Sequence, residues 1–486
     1  MHARSIRSVS RHRVALALQS VLLLATPQVA TAAATERGPR AARTAVNCAA
    51  AMPIALPNAR VTAVRAVQPN DSLRALGRRP YCRVEATVDV ETHIVALLPV
   101  DWNGRFLMGG GGGYVGAVDN QFAATVHEGF ATVGTDAGHS ANSLTAGWAL
   151  KNDERVTDFA YRAVHRSAEV TKRLIAAYNF LAITTTFVRN LQAQYPTGDM
   201  NAPVVTPAVL TLLAAKVTEK CDATDGVRDG TLENPETCAF TLASLPACAN
   251  NTAADGCVTR AQRAALSTFT RPLTAGAVRH PGQPFGDESG EEGWSRWLTG
   301  PVPQLLAATG GTLPTAQAAF GTEFFKYFIY GDSAWRYIGY NLARAARDGA
   351  KVDAIVSATN PDLSAFRARG GKLLLAHGWS DPALNARSTI EYFNAVQART
   401  PQALSFTRLF MMPGVLHCAG GSGCDQVDWA GIIRRWVEQG EAPSRIVARK
   451  ERDTKAVRTH PLCAYPMTAR YNGTGRTDDA AAFTCR

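Results

Sequence analysis

The stretch FTRLFMMPGVLHCAGGSGCDQVDW, residues 406–429, combines a predicted core strand with a histidine on the loop that follows it. Its apolar run from Phe406 to Met412 has the length and composition of a buried strand, and Pro413-Gly414 ends it. His417 comes on the loop beyond this break. Hydrolases built on a parallel sheet carry the general base just past the end of a core strand. The stretch therefore predicts an α/β fold with His417 as a candidate base.

A second stretch, GKLLLAHGWSDP at residues 371–382, repeats the pattern of a strand, a turn and then a polar side chain. Here the polar residue is Asp381, at the C-terminal end of the predicted strand. An acid followed by a histidine, each after its own strand, matches the Ser…Asp…His order of α/β-hydrolases. We therefore predict that Asp381 and His417 are the acid and the base of a hydrolase site.

The serine that this order requires is not recognisable, because G-x-S-x-G occurs nowhere in the chain. Where the elbow is expected, residues 177–187 continue from a helix beginning near Asp158 into another predicted helix, 188–195. The His139-Ser140 pair follows a predicted strand at 130–136, but a single loop histidine is more often structural. The nearest approximations to the elbow are centred on Ser140, Ser380 and Ser422, and none of them lies between a strand and a helix.

The N-terminus resembles a secretory signal over residues 1–34. Its basic front carries four arginines, its apolar middle is Val14–Ala25, and Ala30-Thr31-Ala32 is a small-residue cleavage site. The apolar run is too short to span a bilayer, so we expect no membrane anchor. The predicted location is secreted or periplasmic.

Charge and size narrow the class of protein further. The net charge of +11 falls to +7 when the four signal arginines are removed, without basic clusters, which gives no reason to expect a nucleic-acid partner. A chain of 486 residues with 46% apolar content can bury a large core. We predict one large domain with an insertion; the sequence does not specify an oligomeric state.

Ten cysteines in an exported chain predict disulfides. Zinc is disfavoured because no CxxC pair exists. Nearest-neighbour pairing is the simplest arrangement, and it includes a C-terminal clip. The cysteines are Cys48, Cys82, Cys221, Cys238, Cys248, Cys257, Cys418, Cys424, Cys463 and Cys485.

Five glycines, Gly109–Gly113, follow a predicted strand that ends at Met108. Such a run lets the backbone approach a ligand and present its N–H groups, and in α/β-hydrolases this loop supplies half of the oxyanion hole. A flexible turn explains the glycines equally well.

An acidic loop, CDATDGVRDGTLENPETC at residues 221–238, is rich in oxygen ligands for a hard cation such as calcium. Its acids are Asp222, Asp225 and Asp229. The spacing is not that of an EF-hand, which needs acids at alternate positions and a closing glutamate. Taken alone, the loop is as often a solvated turn as a metal site.

The segment between the predicted strands is large enough to form a lid. We predict the first part of the core at 35–190, a lid domain at 191–355 and the second part of the core at 356–486. Most lid aromatics should form the core of the lid, and a minority could line a pocket for an aromatic ligand. They are Trp294, Trp297, Phe324, Phe325, Tyr327, Phe328, Trp335 and Tyr337.

Taken together, these stretches resemble the tannase/feruloyl esterase family of secreted serine hydrolases. The resemblance runs from about residue 80 to the C-terminus. It implies an α/β-hydrolase core, a lid with a calcium site, and cleavage of aromatic carboxylic esters such as hydroxycinnamates or gallates; the family also contains a terephthalate-monoester hydrolase. The matching stretches are WNGRFLMGGGGGYVG, GTDAGHS, CDATDGVRDGTLENPETC, NPDLSAFRARGGKLLLAHGWSDP, RLFMMPGVLHC, WVEQGEAP, PLCAYP and FTC.

The resemblance also assigns individual residues. Asp381 matches the triad acid and His417 the triad base, and Gly112 or Gly113 falls where one oxyanion donor lies. The implied calcium ligands are the carboxylates of Asp222, Asp225 and Asp229 and the carbonyl oxygens of Val227 and Thr231.

One part of the family pattern is absent. The G-C-S-x-G-G elbow should lie between about Tyr178 and Phe187, and a βαβ unit of this kind takes ~30 residues or more. The family joins the elbow cysteine to the one beside the histidine, here Cys418. Since that partner is missing, we predict a Cys418–Cys424 bridge instead.

Three hypotheses follow from this absence. The chain is an aromatic-ester hydrolase that uses water or a surrogate nucleophile such as Ser140 or Ser380, or a catalytically dead homologue that binds aromatic esters. The third hypothesis is a truncated product that does not fold, since removing a central strand exposes sheet edges.

Overall fold

A five-stranded sheet forms the first part of the fold in the computed structural model of the chain. Its order is β1-β2-β3-β5-β4, antiparallel except for the parallel pair of β4 and β5. The alternating apolar side chains of the second strand explain its position, because they are buried on one face. The strands are β1 (Ala59–Val67), β2 (Tyr81–Val88), β3 (Thr92–Pro99), β4 (Phe106–Met108) and β5 (Ala131–Thr135).

The structure describes residue 48 and residues 58–70, 77–169, 179–308, 311, 313–417, 419–453 and 455–486. The predicted signal segment and Cys418 lie outside these residues. Among the helices that are described, none combines the length and apolar character needed to cross a bilayer.

The middle of the chain is mainly helical and includes one short hairpin, β6 (Leu273–Ala275) and β7 (Val278–His280). Two π-helical turns, Asp158–Arg162 and Phe324–Tyr330, are continuous with neighbouring α-helices, and another, Ser295–Thr299, is separated from the next helix. Within the described residues the α-helices are α1 (Asp153–Thr157), α2 (Ala163–Glu169), α3 (Phe180–Gln194), α4 (Pro207–Cys221), α5 (Arg260–Thr270), α6 (Pro303–Ala308), α7 (Ala316–Glu323), α8 (Ala345–Asp348), α9 (Ala350–Val356), α10 (Ser364–Ala368), α11 (Ala386–Arg399) and α12 (Trp429–Gln439).

Helix α3 occupies the position where the family pattern expects the nucleophile elbow to end. Its N-terminus is capped by the side chain of Asn179, which accepts the N–H of Ala182. The helix predicted at 188–195 is thus the second half of α3, and the predicted helix from Asp158 is confirmed as far as Glu169. Nearly all of α3 is buried, and it packs in the largest aromatic core of the molecule.

A separate parallel pair carries the predicted catalytic residues. Strands β8 (Leu373–Gly378) and β9 (Thr407–Met412) pair in register from Leu373 with Thr407 to Gly378 with Met412. Both strands predicted from their apolar runs are therefore confirmed. Within the described residues, the outer edge of β4 and one edge of β8 have no strand partner.

The C-terminal part adds two antiparallel hairpins. The first joins β10 (Arg445–Arg452) to β11 (Lys455–Cys463), and the second joins β12 (Ala469–Tyr471) to β13 (Phe483–Cys485). Residue Ala464, just after β11, bridges to Phe410 in β9, so this part closes one side of the β8–β9 pair.

The disulfides follow nearest-neighbour pairing, and the C-terminal clip is among them. The bonded pairs are Cys48–Cys82, Cys221–Cys238, Cys248–Cys257 and Cys463–Cys485. The predicted Cys418–Cys424 bridge is wrong, because Cys424 is a free and buried thiol. Its side chain packs in the core beside β9, and its sulfur lies 3.8 Å from the carbonyl oxygen of Arg458.

Candidate active site

The two parallel strands bring the predicted acid and base together. Asp381 follows β8, His417 follows β9, and the two loops meet because parallel neighbours end at the same edge of the sheet. The Nδ1 atom of His417 lies 2.9 Å from Oδ2 of Asp381. An ionised carboxylate only accepts hydrogen bonds, so Nδ1 carries the proton and Nε2 keeps a free lone pair.

Asp381 is a fully partnered buried carboxylate. It is 3% exposed, and its Oδ1 accepts the backbone N–H groups of Ala383 at 2.8 Å and Leu384 at 2.9 Å. Burial raises the pKa of Asp381, but hydrogen bonding to His377 and His417 outweighs burial and holds that pKa well below its ordinary value. The carboxylate is therefore ionised near neutral pH.

His417 is partly open to solvent, with 31% of its side chain exposed. Burial lowers the pKa of His417, but the hydrogen bond with Asp381 outweighs burial and raises that pKa above its ordinary value. Among the described residues, no hydroxyl or thiol forms a hydrogen bond with Nε2 of His417.

The candidate serines do not complete a triad. Ser140 is exposed, and neighbouring His139 is buried, stacks on Trp148 and bonds the carbonyl oxygen of Tyr114, as expected of a structural histidine. Ser380 is buried and its N–H donates to Val415.

Ser422, the centre of the third approximation to the elbow, is hydrogen-bonded to a residue other than His417. Its Oγ donates to Oδ2 of Asp287 at 2.9 Å. No described serine is thus hydrogen-bonded to His417.

The glycine-rich loop turns sharply after β4. Gly113 has a φ of 59° and Val115 a φ of 51°, and the N–H of Val115 donates to the carbonyl oxygen of Gly112. Both Gly112 and Gly113 are exposed. Their N–H groups have no acceptor among the described residues and are open to solvent or to a ligand.

Two aromatic side chains connect the glycine loop to the base. The Trp297 ring meets the His417 ring edge to face at 4.9 Å between centroids. Trp297 also stacks on Phe320 at 6.0 Å, and a Cβ atom on Gly113 would lie 3.2 Å from the Phe320 ring. A chain of ring contacts through Trp297 and Phe320, here called the aromatic wall, therefore links the glycine loop to the base.

The acidic loop folds back on its own carboxylates. Asp222 and Asp225 are each 6% exposed. One oxygen of Asp222 accepts the N–H groups of Asp229 at 3.2 Å and Gly230 at 2.9 Å, and one oxygen of Asp225 accepts that of Val227 at 3.1 Å. These bonds hold the loop in a closed shape.

Oxygen atoms remain for a hard cation. The second carboxylate oxygens of Asp222 and Asp225 and the carbonyl oxygens of Val227 and Thr231 accept no hydrogen bond from the described residues. Calcium takes oxygen ligands of these kinds. Both oxygens of Asp229, by contrast, accept hydrogen bonds, one from the N–H of Thr231 and one from Arg458.

Asp229 differs from its neighbours because it pairs with a cation of the chain. The guanidinium of Arg458 donates to its Oδ2. Burial, followed by the charges of Asp229 and Glu233, raises the pKa of Asp225 to about 6. Across the described parts of the chain, no group of three or more acidic, histidine or cysteine side chains is close enough to hold a metal ion.

Several residues of the site were not identified from the sequence. His377 lies with Nε2 3.4 Å from Oδ2 of Asp381, and Gln283 donates to the backbone oxygen of Asp381 at 2.6 Å. The pattern HGWSDP contains His377, but its role depends on the turn that brings it back onto Asp381. Trp297 was one of the predicted lid aromatics, without a sign that it reaches the base.

Comparison with known proteins identifies the family. The model of tannase and feruloyl esterase matches residues 75–188 and 176–486. Feruloyl esterase B of Aspergillus niger is 30% identical over 475 residues, covering 83% of this chain and 86% of that protein. The mono(2-hydroxyethyl) terephthalate hydrolase of Piscinibacter sakaiensis is 28% identical and covers 80% of each chain.

Solved structures agree on the fold. Feruloyl esterase B from Aspergillus oryzae superposes with a TM-score of 0.76 at 25% identity, covering 90% of this chain and 99% of that one. Tannin acyl hydrolase from Aspergillus niger gives a TM-score of 0.64 at 18% identity, covering 90% and 93%, and shows the fold alone. The chain belongs to the tannase and feruloyl esterase family.

Proposed function

We propose that this chain binds aromatic carboxylic esters between the glycine loop and His417, with the His417–Asp381 pair as a general base acting on water. The observation that carries the proposal is the pair itself, 2.9 Å apart with Nε2 open. Asp381 orients the imidazole and stabilises the imidazolium formed when Nε2 takes a proton.

The reaction needs only groups of this chain, the ester and water. Nε2 of His417 removes a proton from water while the water oxygen bonds to the ester carbonyl carbon. The N–H groups of Gly112 and Gly113 donate to the carbonyl oxygen as it becomes negative. Collapse of the tetrahedral intermediate breaks the bond to the alkoxy oxygen, which takes the proton from His417.

The aromatic wall supports the substrate class. A flat acyl group inserted beside Trp297 would meet ring faces and edges of Trp297 and Phe320. Aromatic pairs contribute about 0.5–1.5 kcal/mol beyond the area they bury, so the wall favours aromatic over aliphatic acids.

We also propose that the strand, elbow and helix carrying the family serine are absent from this chain. Two observations support this. The family model matches in two segments that meet near residues 176–188, and the outer edges of β4 and β8 lack a strand partner within the described residues. Without a serine there is no acyl-enzyme, and we expect a rate several orders of magnitude below that of serine esterases.

A second function, ester binding without turnover, is favoured by a separate observation. No described hydroxyl or thiol is held by Nε2 of His417, so the base has nothing ordered to activate except water. The two functions share the binding site and differ only in turnover.

Hydrolysis of methyl ferulate by purified protein separates these functions. Slow turnover that His417→Ala abolishes supports the general-base route, whereas binding with equal background rates in both proteins supports the binding function. Turnover that survives His417→Ala would contradict the proposed role of the pair.

Substitution of the aromatic wall tests the substrate class. Trp297→Ala should weaken methyl ferulate binding about tenfold. Trp335→Ala is the matched control, because Trp335 stacks on Phe325 and has no ring contact with His417 in the described residues. Equal affinities of the two variants would contradict an aromatic site at Trp297.

For the acidic loop we propose structural calcium, held by the carboxylates of Asp222, Asp225 and Asp229 and the carbonyl oxygens of Val227 and Thr231. Its support is the set of oxygens without a donor on a buried loop. The ion would neutralise adjacent carboxylates and fix the loop.

We also propose export to the periplasm or the medium. The support is the four disulfides within the described residues, which persist in oxidising compartments. Detection of the mature protein outside the cytoplasm, starting near residue 35, tests it.

A further inference from the structure

A buried cation without a counter-ion lies between helix α3 and the β6–β7 hairpin. Arg189 is 7% exposed, and its two terminal nitrogens donate to the carbonyl oxygen of Arg271 at 3.0 Å and to Oδ1 of Asn190 at 3.4 Å. Its Nε–H has no acceptor, and no carboxylate of the described residues pairs with it.

His280 adds a second group without a partner beside this cation. It is also 7% exposed, and neither ring nitrogen has a hydrogen-bond partner within the described residues. Burial, followed by the charge of Arg189, lowers the pKa of His280 to about 4. The ring is therefore neutral near pH 7 and offers one N–H donor.

Burying the charge of Arg189 without a counter-ion costs folding free energy. Burial, followed by the charge of Arg271, lowers the pKa of Arg189 to about 10, so the guanidinium still carries its charge near neutral pH. A buried ion without a partner costs several kcal/mol. An anion at this position would remove that cost.

The free donors match a planar oxyanion better than a spherical one. The Nε–H of Arg189 and a remaining terminal N–H lie on one edge of the guanidinium, which binds the two oxygens of a carboxylate side by side. The N–H of His280 supplies a third donor. We propose that Arg189 and His280 form a buried binding site for a small carboxylate, separate from the ester site at His417.

A path of hydrogen bonds joins this cluster to the catalytic loop. Asn190, next to Arg189, donates to Oε1 of Gln317 at 2.9 Å, and Gln317 donates to the carbonyl oxygen of Pro382 at 2.7 Å. Pro382 follows Asp381 directly. This path leads from the cluster to the backbone of the residue after Asp381 and does not involve His417.

Thermal unfolding of the full chain in sodium acetate and in sodium chloride at equal concentration tests the site. Acetate at about 100 times its Kd should raise the Tm by about 3 °C more than chloride does. An equal response to both salts would overturn the carboxylate preference.

Substitution of Arg189 tests whether this residue is responsible for the acetate effect on the Tm. Arg189→Met should lose the acetate effect while unfolding at the same or a higher temperature in acetate-free buffer, because an unpaired buried charge is gone. Arg271→Met is the matched control, since Arg271 is exposed at the end of α5, just before this hairpin, and it should keep the effect. A response that persists in Arg189→Met, or a lower Tm of this variant without acetate, would overturn the proposal.

A measurement on the unsubstituted protein covers the case of a variant that does not fold. The ¹⁹F signal of trifluoroacetate should broaden with protein and sharpen when acetate, but not chloride, is added. Absence of broadening overturns the proposal. None of these three experiments requires ester turnover, so their results are independent of the proposed function.

Discussion

Asp381 and Asp225 are both buried loop aspartates, yet their pKa values are shifted in opposite directions. Asp381 has two backbone donors and His417, and its pKa is held well below the ordinary value. Asp225 has one backbone donor, and burial near other acids raises its pKa to about 6. Burial alone therefore does not set the pKa of a carboxylate, because the number of hydrogen-bond donors and the neighbouring charges decide the direction of the shift.

Replacing each aspartate by asparagine should separate the two loops most strongly. In calcium-free buffer, Asp381→Asn should lower the free energy of unfolding by about 3 kcal/mol, because His417 and His377 lose a buried charged acceptor. Asp225→Asn should leave it unchanged or raise it, since a repelled charge is removed. Urea unfolding at pH 7 measures both, and equal losses would contradict the comparison.

Calcium should act on one loop only. A hundredfold excess over the Kd should raise the free energy of unfolding by about 2.7 kcal/mol, and Asp225→Asn should lose most of this gain. Asp381→Asn serves as the control and should keep it. The measurement is urea unfolding in calcium and in chelator, and identical curves for the unsubstituted protein would contradict a calcium site.

The contribution of the His417–Asp381 pair to the stability of the fold should depend on pH. The raised pKa of His417 stabilises the fold below its ordinary value near 6.5 and loses that effect as pH rises through the raised pKa. The lowered pKa of Asp381 stabilises above its ordinary value near 3.9 and loses that effect as pH falls through the lowered pKa. The contribution of the pair should therefore be greatest between about pH 4 and 6.5.

NMR titration of His417 gives the direct measurement. Its pKa should lie above 6.5 in the unsubstituted protein and below 6.5 in Asp381→Asn, where only the effect of burial remains. Any hydrolysis should rise with pH through the same titration, because the base must be neutral. An unchanged pKa in the variant would contradict the assigned pair.

The smallest expected effect concerns the thiol near the acidic loop. Burial raises the pKa of Cys424 to about 11, and its sulfur lies 3.8 Å from the carbonyl oxygen of Arg458, the partner of Asp229. Removing calcium should loosen this contact and speed alkylation of Cys424 a few-fold. Mass spectrometry measures the rate, and the Asp225→Asn variant should show no calcium effect.

Much of the catalytic pair could be predicted because its signals are local. The apolar runs at 373–378 and 407–412 predict two core strands. The order of Asp381 and His417 along the chain predicts their roles as acid and base. The nearest-neighbour disulfide pairing was equally predictable, because closing a short loop between two cysteines costs little chain entropy. The Cys424 prediction failed because the direction of that side chain depends on core packing and not on cysteine count.

Local sequence patterns were enough to give the α/β class, the family motifs, Asp381 and His417 as candidate acid and base, and the lack of a recognisable serine elbow. The packing of the folded chain was needed to show that Trp297 lies against His417, that Arg458 pairs with Asp229, and that Arg189 and His280 are buried without a counter-ion among the described residues. The physical reason is the distance along the chain over which each signal is spread. Strand periodicity and motif order are written within a few residues, whereas desolvation and charge pairing depend on groups brought together from distant parts of the chain.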